Sequence, residues 1–249
     1  IRNRLTSVSS TRQITSAMKM VSAAKLRKAQ DAVTQMRPYA NKLQEILSNL
    51  SQSLDSSDGV YSAQREVKNV LIVSITSNRG LCGGFNNNVI KTVRRMAGEH
   101  SGSRVTVLSI GKKSNDAFKN TELGIKGSEL PRHAEKIWDE LTFENSSEIA
   151  EALMEQFVNG SIDKIVLVYN QFVNAASQDI IEEQFLPVLP PESDEEVSTS
   201  GTDYIFEPSK EFIVQELIPK SLKTQLFKAL LDSHASEHGA RMTAMHKAT

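Results

Sequence analysis

IRNRLTSVSSTRQITSAMKMVSAAKLRKAQDAVTQMR, residues 1–37, contains neither Gly nor Pro and is dense in Ala, Lys, Arg, Gln, Met and Leu. Summed helix propensity is therefore high, and with Pro38 as the one breaker before a serine-rich stretch, a single helix is expected over residues 1–50. Counting in sevens from Ile1 gives Val8, Thr15, Ser22, Ala29, Met36, Leu43 and Leu50, and the line three residues on adds Met18, Ala32, Tyr39 and Ile46. That repeat is a coiled-coil seam whose middle holds Thr, Ser and Ala, so a partner helix can come close. About 50 residues of helix span roughly 75 Å, more than a small domain covers. Part of the helix is expected to project.

The charge of this stretch is one-sided. Arg2, Arg4, Arg12, Lys19, Lys25, Arg27, Lys28 and Arg37 are opposed only by Asp31. A solvated basic face, a nucleic-acid-binding helix and a shaft among acidic protein partners all fit that pattern. Over the whole chain, 29 basic residues meet 30 acidic ones. That balance argues against a dedicated nucleic-acid binder, whose domain is usually basic throughout. The single Cys82 excludes an internal disulfide framework and a thiolate metal cluster, which suits a reducing compartment. No apolar run approaches the ~20 residues of a membrane-spanning helix, and no targeting signal is expected at the start.

Beyond a polar linker at residues 51–66, the pattern changes. NVLIVSIT at residues 69–76 is a β-branched run of the kind found in strands buried on both faces. A turn with Gly80, Gly83 and Gly84 and a helix at about 86–97 follow. RVTVLSI at 104–110 with a helix from Lys112, and KIVLVY at 164–169 preceded by a helix at 146–158, repeat the unit. Alternating strands and helices predict right-handed crossovers and a mainly parallel sheet. Residues 123–126 suit a short further strand, 134–141 a short helix, and 180–189 an edge strand that tolerates Pro187. An acidic, Ser/Pro-rich loop at 190–203 precedes a second long helical stretch marked by Phe212, Ile213, Leu217, Leu222, Leu226, Leu230, Met242 and Met245. Pro219 should kink or interrupt it. Two half-seams at opposite ends of the chain most simply bury each other as an antiparallel pair. The expected organisation is an N-terminal coiled-coil helix (1–50), a linker (51–66), an α/β domain (67–207) and a C-terminal coiled-coil helix (208–249).

The strand–glycine turn–helix at 72–93 has the outline of a phosphate cradle. It lacks G-x-G-x-x-G, and no Lys-Ser or Lys-Thr directly follows the turn as a P-loop requires, so a tight structural turn is the better reading. His234 and His238 fall on one helix face around Glu237, but a metal needs a third ligand and only His246 is at hand. Cys82 has no local histidine to activate it and reads as a packing residue. No nucleophile signature is present. The readings left open are a non-catalytic shaft, a small nucleotide-binding α/β protein with a helical arm, and a nucleic-acid-binding coil.

Three separated stretches carry a resemblance: SSTRQITSAMKMVSAAKLRKAQ at 9–30, ITSNRGLCGGFN at 75–86 and ASEHGARMTAMHKAT at 235–249. Together they resemble the gamma subunits of rotary F-type ATP synthases, in the right order and over essentially the whole chain. The resemblance implies an α/β domain, Rossmann-like and mainly parallel but without a nucleotide site. It also implies N- and C-terminal helices wound as an antiparallel coiled coil, the central shaft inside a hexamer of alpha and beta subunits. The shaft implied by this family does no bond chemistry and binds neither cofactor nor metal. Its orientation sets the affinities of the beta-subunit sites as ion flow turns it.

Carried over by position, Met18, Lys19 and Met20 face the beta subunits, with Arg241, Met242 and Met245 on the opposing helix. Lys25 and Arg79 become ionic contacts to acidic beta surfaces. The body joins the epsilon subunit and the c-subunit ring, with no nucleic acid and no direct membrane span. The implied location is peripheral, on the cytoplasmic face of a bacterial inner membrane, with the matrix side of a mitochondrial membrane second. The family continues past a segment like MTAMHKAT, so the C-terminal helix is expected to be incomplete. Gly239 stands where the pattern suggests Ala, at a cost of about 1 kcal/mol in a helix interior.

Overall fold

A computed structural model describes residues 1–51, 60–126, 130–189 and 210–249, with side chains 41, 44–51 and 210–215 left out of the description. Residues 52–59 of the expected linker and the acidic loop at 190–203 lie outside the described residues. The chain runs α1 (Arg2–Ser51), β1 (Asn69–Ile75), α2 (Phe85–Glu99), β2 (Arg104–Ile110), α3 (Lys112–Phe118), a 3-10 helix (Ala134–Trp138), α4 (Phe143–Val158), β3 (Lys164–Phe172), β4 (Gln178–Leu186) and α5 (Lys210–Ala248).

The sheet order is β2-β1-β3-β4, with β1 parallel to both β2 and β3 and only β4 antiparallel. The parallel pairs follow from the helical crossovers between their strands, whereas β3 and β4 are joined by a short turn that can only reverse the chain. Residues 123–126 form a single parallel bridge, Val107 to Gly124, rather than a strand.

Strand parity divides the core. Leu71, Val73, Ile75, Leu108, Ile110, Ile165, Leu167 and Tyr169 face one layer with Ile149, Leu153 and Phe157 of α4 and Leu222, Leu226, Ala229 and Leu230 of α5. Val70, Ile72, Val105, Val107, Val166 and Val168 face the other layer, against Val89, Val93 and Met96 of α2 and against Phe118. Side chains alternate across a strand, so continuous apolar runs such as NVLIVSI serve both layers. α4 starts one turn earlier than its sequence period suggests, because the Thr142 side chain accepts a hydrogen bond from Asn145 N at 3.2 Å and caps the helix.

α1 and α5 pair antiparallel. Thr15 meets Thr249 hydroxyl to hydroxyl at 2.9 Å, Lys19 Nζ donates to His246 Nδ1 at 3.2 Å, and Arg37 Nη2 donates to Asp232 Oδ1 at 3.3 Å. The seam keeps the expected line of sevens at Thr15, Ser22, Ala29 and Leu43, all buried. Its second line differs. Leu26 and Val33, four residues after Ser22 and Ala29, are buried, while Tyr39 is 44% exposed and Met18 and Ala32 only half-buried. The side chains large enough to fill the gap beside α5 stand at the four-residue step, and burial follows them. Ile1 and Val8, expected in the seam, are exposed. α5 also passes through Pro219 as one helix, without the expected interruption.

Candidate functional site: the junction of shaft and body

α5 is at once half of the helix pair and part of the core of the α/β body. Its apolar stripe supplies Leu222, Leu226, Ala229 and Leu230 to the body, and Leu231 and Ala235 to a separate cluster with Leu26, Ala29 and Val33 of α1. Burying four such side chains against the sheet contributes about 1.5–3 kcal/mol for each leucine. The helix is also held by polar contacts along its length. Gln225 Nε2 donates to Glu183 Oε1 at 2.9 Å, and the same carboxylate accepts from Tyr169 at 2.7 Å. Burial pushes the Tyr169 phenol well above its usual range, and the neighbouring Glu183 adds to the shift, so this hydroxyl stays protonated and donates.

Higher up, Arg37 ties α1 to both partners, donating to Asp232 on α5 and to Phe172 O at the end of β3, 3.0 Å away. Asp232 is completely buried. Burial raises its pKa, and Arg37 beside it opposes the shift. Ser236 Oγ donates to Asn170 O at 3.1 Å, and Thr243 Oγ1 to Ala175 O at 2.9 Å. Between these two, Gly239 lies against the β3–β4 turn, where a Cβ would stand 3.2 Å from Ala175 O. The close approach of the turn backbone leaves little room for a Cβ there.

The top of the junction is the glycine turn. Arg241 donates from Nε to Gly80 O at 3.3 Å and from Nη2 to Gly80 O and Arg79 O at 3.2 and 3.3 Å. Its Nη1 pairs with Glu237 Oε1 at 2.6 Å. Both side chains of this ion pair are about nine-tenths buried. Inside the turn, Ser77 N and Ser77 Oγ bond the Asn86 side chain at 2.9–3.1 Å, and Asn86 Nδ2 reaches Cys82 Sγ at 3.1 Å. Burial pushes the Cys82 thiol up, which suits packing rather than nucleophilic chemistry. The Arg79 and Gly80 carbonyls of the turn accept from Arg241 on α5, and Leu81 beside them takes φ 61°.

The expected partner-facing residues separate in space. Met20, 65% exposed, and Lys25 lie on the outer face of α1, and the Arg79 side chain is exposed beside the turn. Met18 and Lys19 are half-buried at the seam margin, with Lys19 bonded to His246. Arg241 and Met245 lie inside: both are buried, and Arg241 is committed to Glu237 and the glycine turn. Met242 is half-buried against the Leu26–Ala29–Val33 cluster. These three are internal contacts because the face of α5 that carries them is the one closed by α1 and the body. Asp232, Glu237, Asn170 and Thr243 were missed from sequence. The signal for one of them is in the sequence, since Glu237 stands four residues before Arg241, the spacing of a helical ion pair.

The fold and the junction define a class: an α/β body fastened along a long antiparallel helix pair, with its polar groups used to hold the two together. A family model described as ATP synthase matches residues 1–249. The ATP synthase gamma chain of Flavobacterium johnsoniae is 62% identical and that of Cytophaga hutchinsonii 47%, each match covering all of this chain and 85% of the relative. The central stalk and c-ring structure of Tetrahymena thermophila mitochondrial ATP synthase superposes with a TM-score of 0.65 at 24% identity, over 94% of this chain and 99% of that one. The rotor of Euglena gracilis mitochondrial ATP synthase gives 0.61 at 23%, over 99% and 88%. These two share the fold. The chain belongs to the ATP synthase gamma family, the central-stalk rotor subunits of that enzyme complex.

Proposed function

We propose that this chain couples rotation to catalysis as a rigid shaft, with no catalytic residue of its own, and that alpha and beta subunits surround its helix pair. The observation that carries this reading is the continuous fastening of α5 to the body from Leu222 to Thr243 while the same helix closes the seam with α1. Torque applied to the body then reaches the helix pair without slip. The shaft changes the beta-subunit sites by touching them differently in each orientation, which is population shift by differential contact.

Met18, Lys19, Met20, Lys25 and Arg79 form the outward contact set toward beta. Arg241, Met242 and Met245 act indirectly, by holding the second helix in register behind it. The epsilon subunit and the c-subunit ring bind the body. Among the described residues no helix is long and apolar enough to cross a membrane, and the bacterial relatives favour a peripheral position on the cytoplasmic face of the inner membrane. Mixing the complete protein with purified alpha and beta subunits is expected to yield a complex with one copy per hexamer. Failure to join the hexamer, or incorporation of several copies, would sink the reading.

A further inference from the structure

His234 and His238 are the polar groups of the junction that the shaft reading leaves without a role. Their rings meet edge to face with Nε2 to Nε2 at 3.1 Å, and His234 stacks on Trp138 of the 3-10 helix at 5.8 Å and 19°. On its other nitrogen, His238 Nδ1 lies 3.5 Å from Arg241 Nη1. A guanidinium has no lone pair to offer and can only donate. His238 Nδ1 must accept, so its proton sits on Nε2. That proton is donated to His234 Nε2, which leaves the His234 proton on Nδ1.

We propose that Arg241, His238 and His234 form a one-directional hydrogen-bond chain in which the guanidinium fixes the tautomer of both rings, and that this chain is a proton-sensitive latch between α5 and the body. At one end Arg241 grips the carbonyls of Arg79 and Gly80, and at the other His234 lies on Trp138, so α5 is pinned to two separate parts of the body through one ordered path. A proton added to either ring breaks the order. On His234 Nε2 it would face the His238 Nε2–H, donor against donor at 3.1 Å. On His238 Nδ1 it would face the Arg241 N–H.

The surroundings keep the latch uncharged. Among the described residues, the charged groups that act on the rings are Lys25 and Lys28 of α1 and Arg241 of α5, with Glu237 paired to Arg241 beside them. Burial, then these cations, lowers the pKa of His234 to about 4, and burial, then His234 and the cations, lowers that of His238 to about 3. The same cations disfavour a metal ion between the rings, and no third ligand stands by them among the described residues. The latch rests on the contact between α5 and the body and holds independently of what surrounds the shaft.

The test is nitrogen NMR of the full chain labelled in its five histidine rings, read together with emission of the lone Trp138 during an acid titration. At neutral pH His234 is expected as the Nδ1–H tautomer and His238 as Nε2–H, and the Trp138 signal is expected to stay flat through pH 6.5 and move only near 4. His238→Gln, whose amide can accept from Arg241 and donate to His234, is expected to preserve the His234 tautomer. His238→Leu is expected to lose it. A wild-type His234 found as Nε2–H, or titrating near its ordinary value, overturns the proposal, and so does loss of the tautomer in the Gln variant. If His238→Leu fails to fold, the wild-type and Gln spectra still decide.

Discussion

Gly111 sits at φ 130°, where a Cβ would stand 2.1 Å from Thr76 O. The contact is with backbone at the end of β1, inside a buried hydroxyl network in which Ser114 Oγ donates to Ser74 Oγ at 2.8 Å and Ser114 N to Thr76 Oγ1 at 2.9 Å. Neither side can yield cheaply. Gly111→Ala is expected to lower unfolding free energy by about 2–4 kcal/mol, measured by urea denaturation. The two junction histidines make a second, pH-dependent prediction. Their folded pKa values lie below the unfolded value, so between pH 6.5 and about 4 the unfolded chain binds more protons than the folded one. Stability is therefore fully present above pH 6.5 and falls on acidification, by up to ~1.4 kcal/mol per pH unit for each ring. Buried Asp232 and Glu237, with raised pKa values, act in the opposite sense. The difference between wild type and His238→Gln isolates one ring: the variant should lose less stability than the wild type between pH 7 and 5, and an equal loss would count against a buried neutral His238.

At the scale of elements, the seam depends on small residues. Ser22 is 3% exposed between α1 and α5. Ser22→Ala should be close to neutral, while Ser22→Leu forces the helices apart and should cost about 1–3 kcal/mol, read as a lowered melting temperature with helix content retained. The period of seven was legible in the sequence because Thr15, Ser22, Ala29 and Leu43 keep one line. The second line was not, because Ala32 at the three-residue step and Val33 at the four-residue step are both apolar and only the partner decides which is buried. Strands β1, β2 and β3 could be read from their β-branched runs, and their parallel pairing from the intervening helices. The single bridge at Gly124 and the uninterrupted passage of α5 through Pro219 depend on tertiary packing, which local propensity does not encode. For the same reason Arg241 was expected at a partner surface. Its charge was visible in the sequence, but the carbonyls of Arg79 and Gly80 that claim it lie far away along the chain.

For the whole molecule, the proposed reading makes shaft and body one mechanical unit, with its proposed contacts to beta on α1 and beside the glycine turn. Met18 lies at the seam margin one residue from Lys19. Met18→Lys should leave assembly with alpha and beta subunits intact, since the half-buried side chain can swing its ammonium to water, but should lower the number of ions moved per ATP in reconstituted vesicles. Unchanged pumping would count against its placement at the beta interface. The most direct test of the central claim is single-molecule observation of a probe fixed to the body at exposed Gly102, with the alpha and beta hexamer held on a surface and supplied with ATP. The account predicts stepwise, one-directional turning of the probe. A probe that stays still, or only fluctuates, while the hexamer hydrolyses ATP would contradict it.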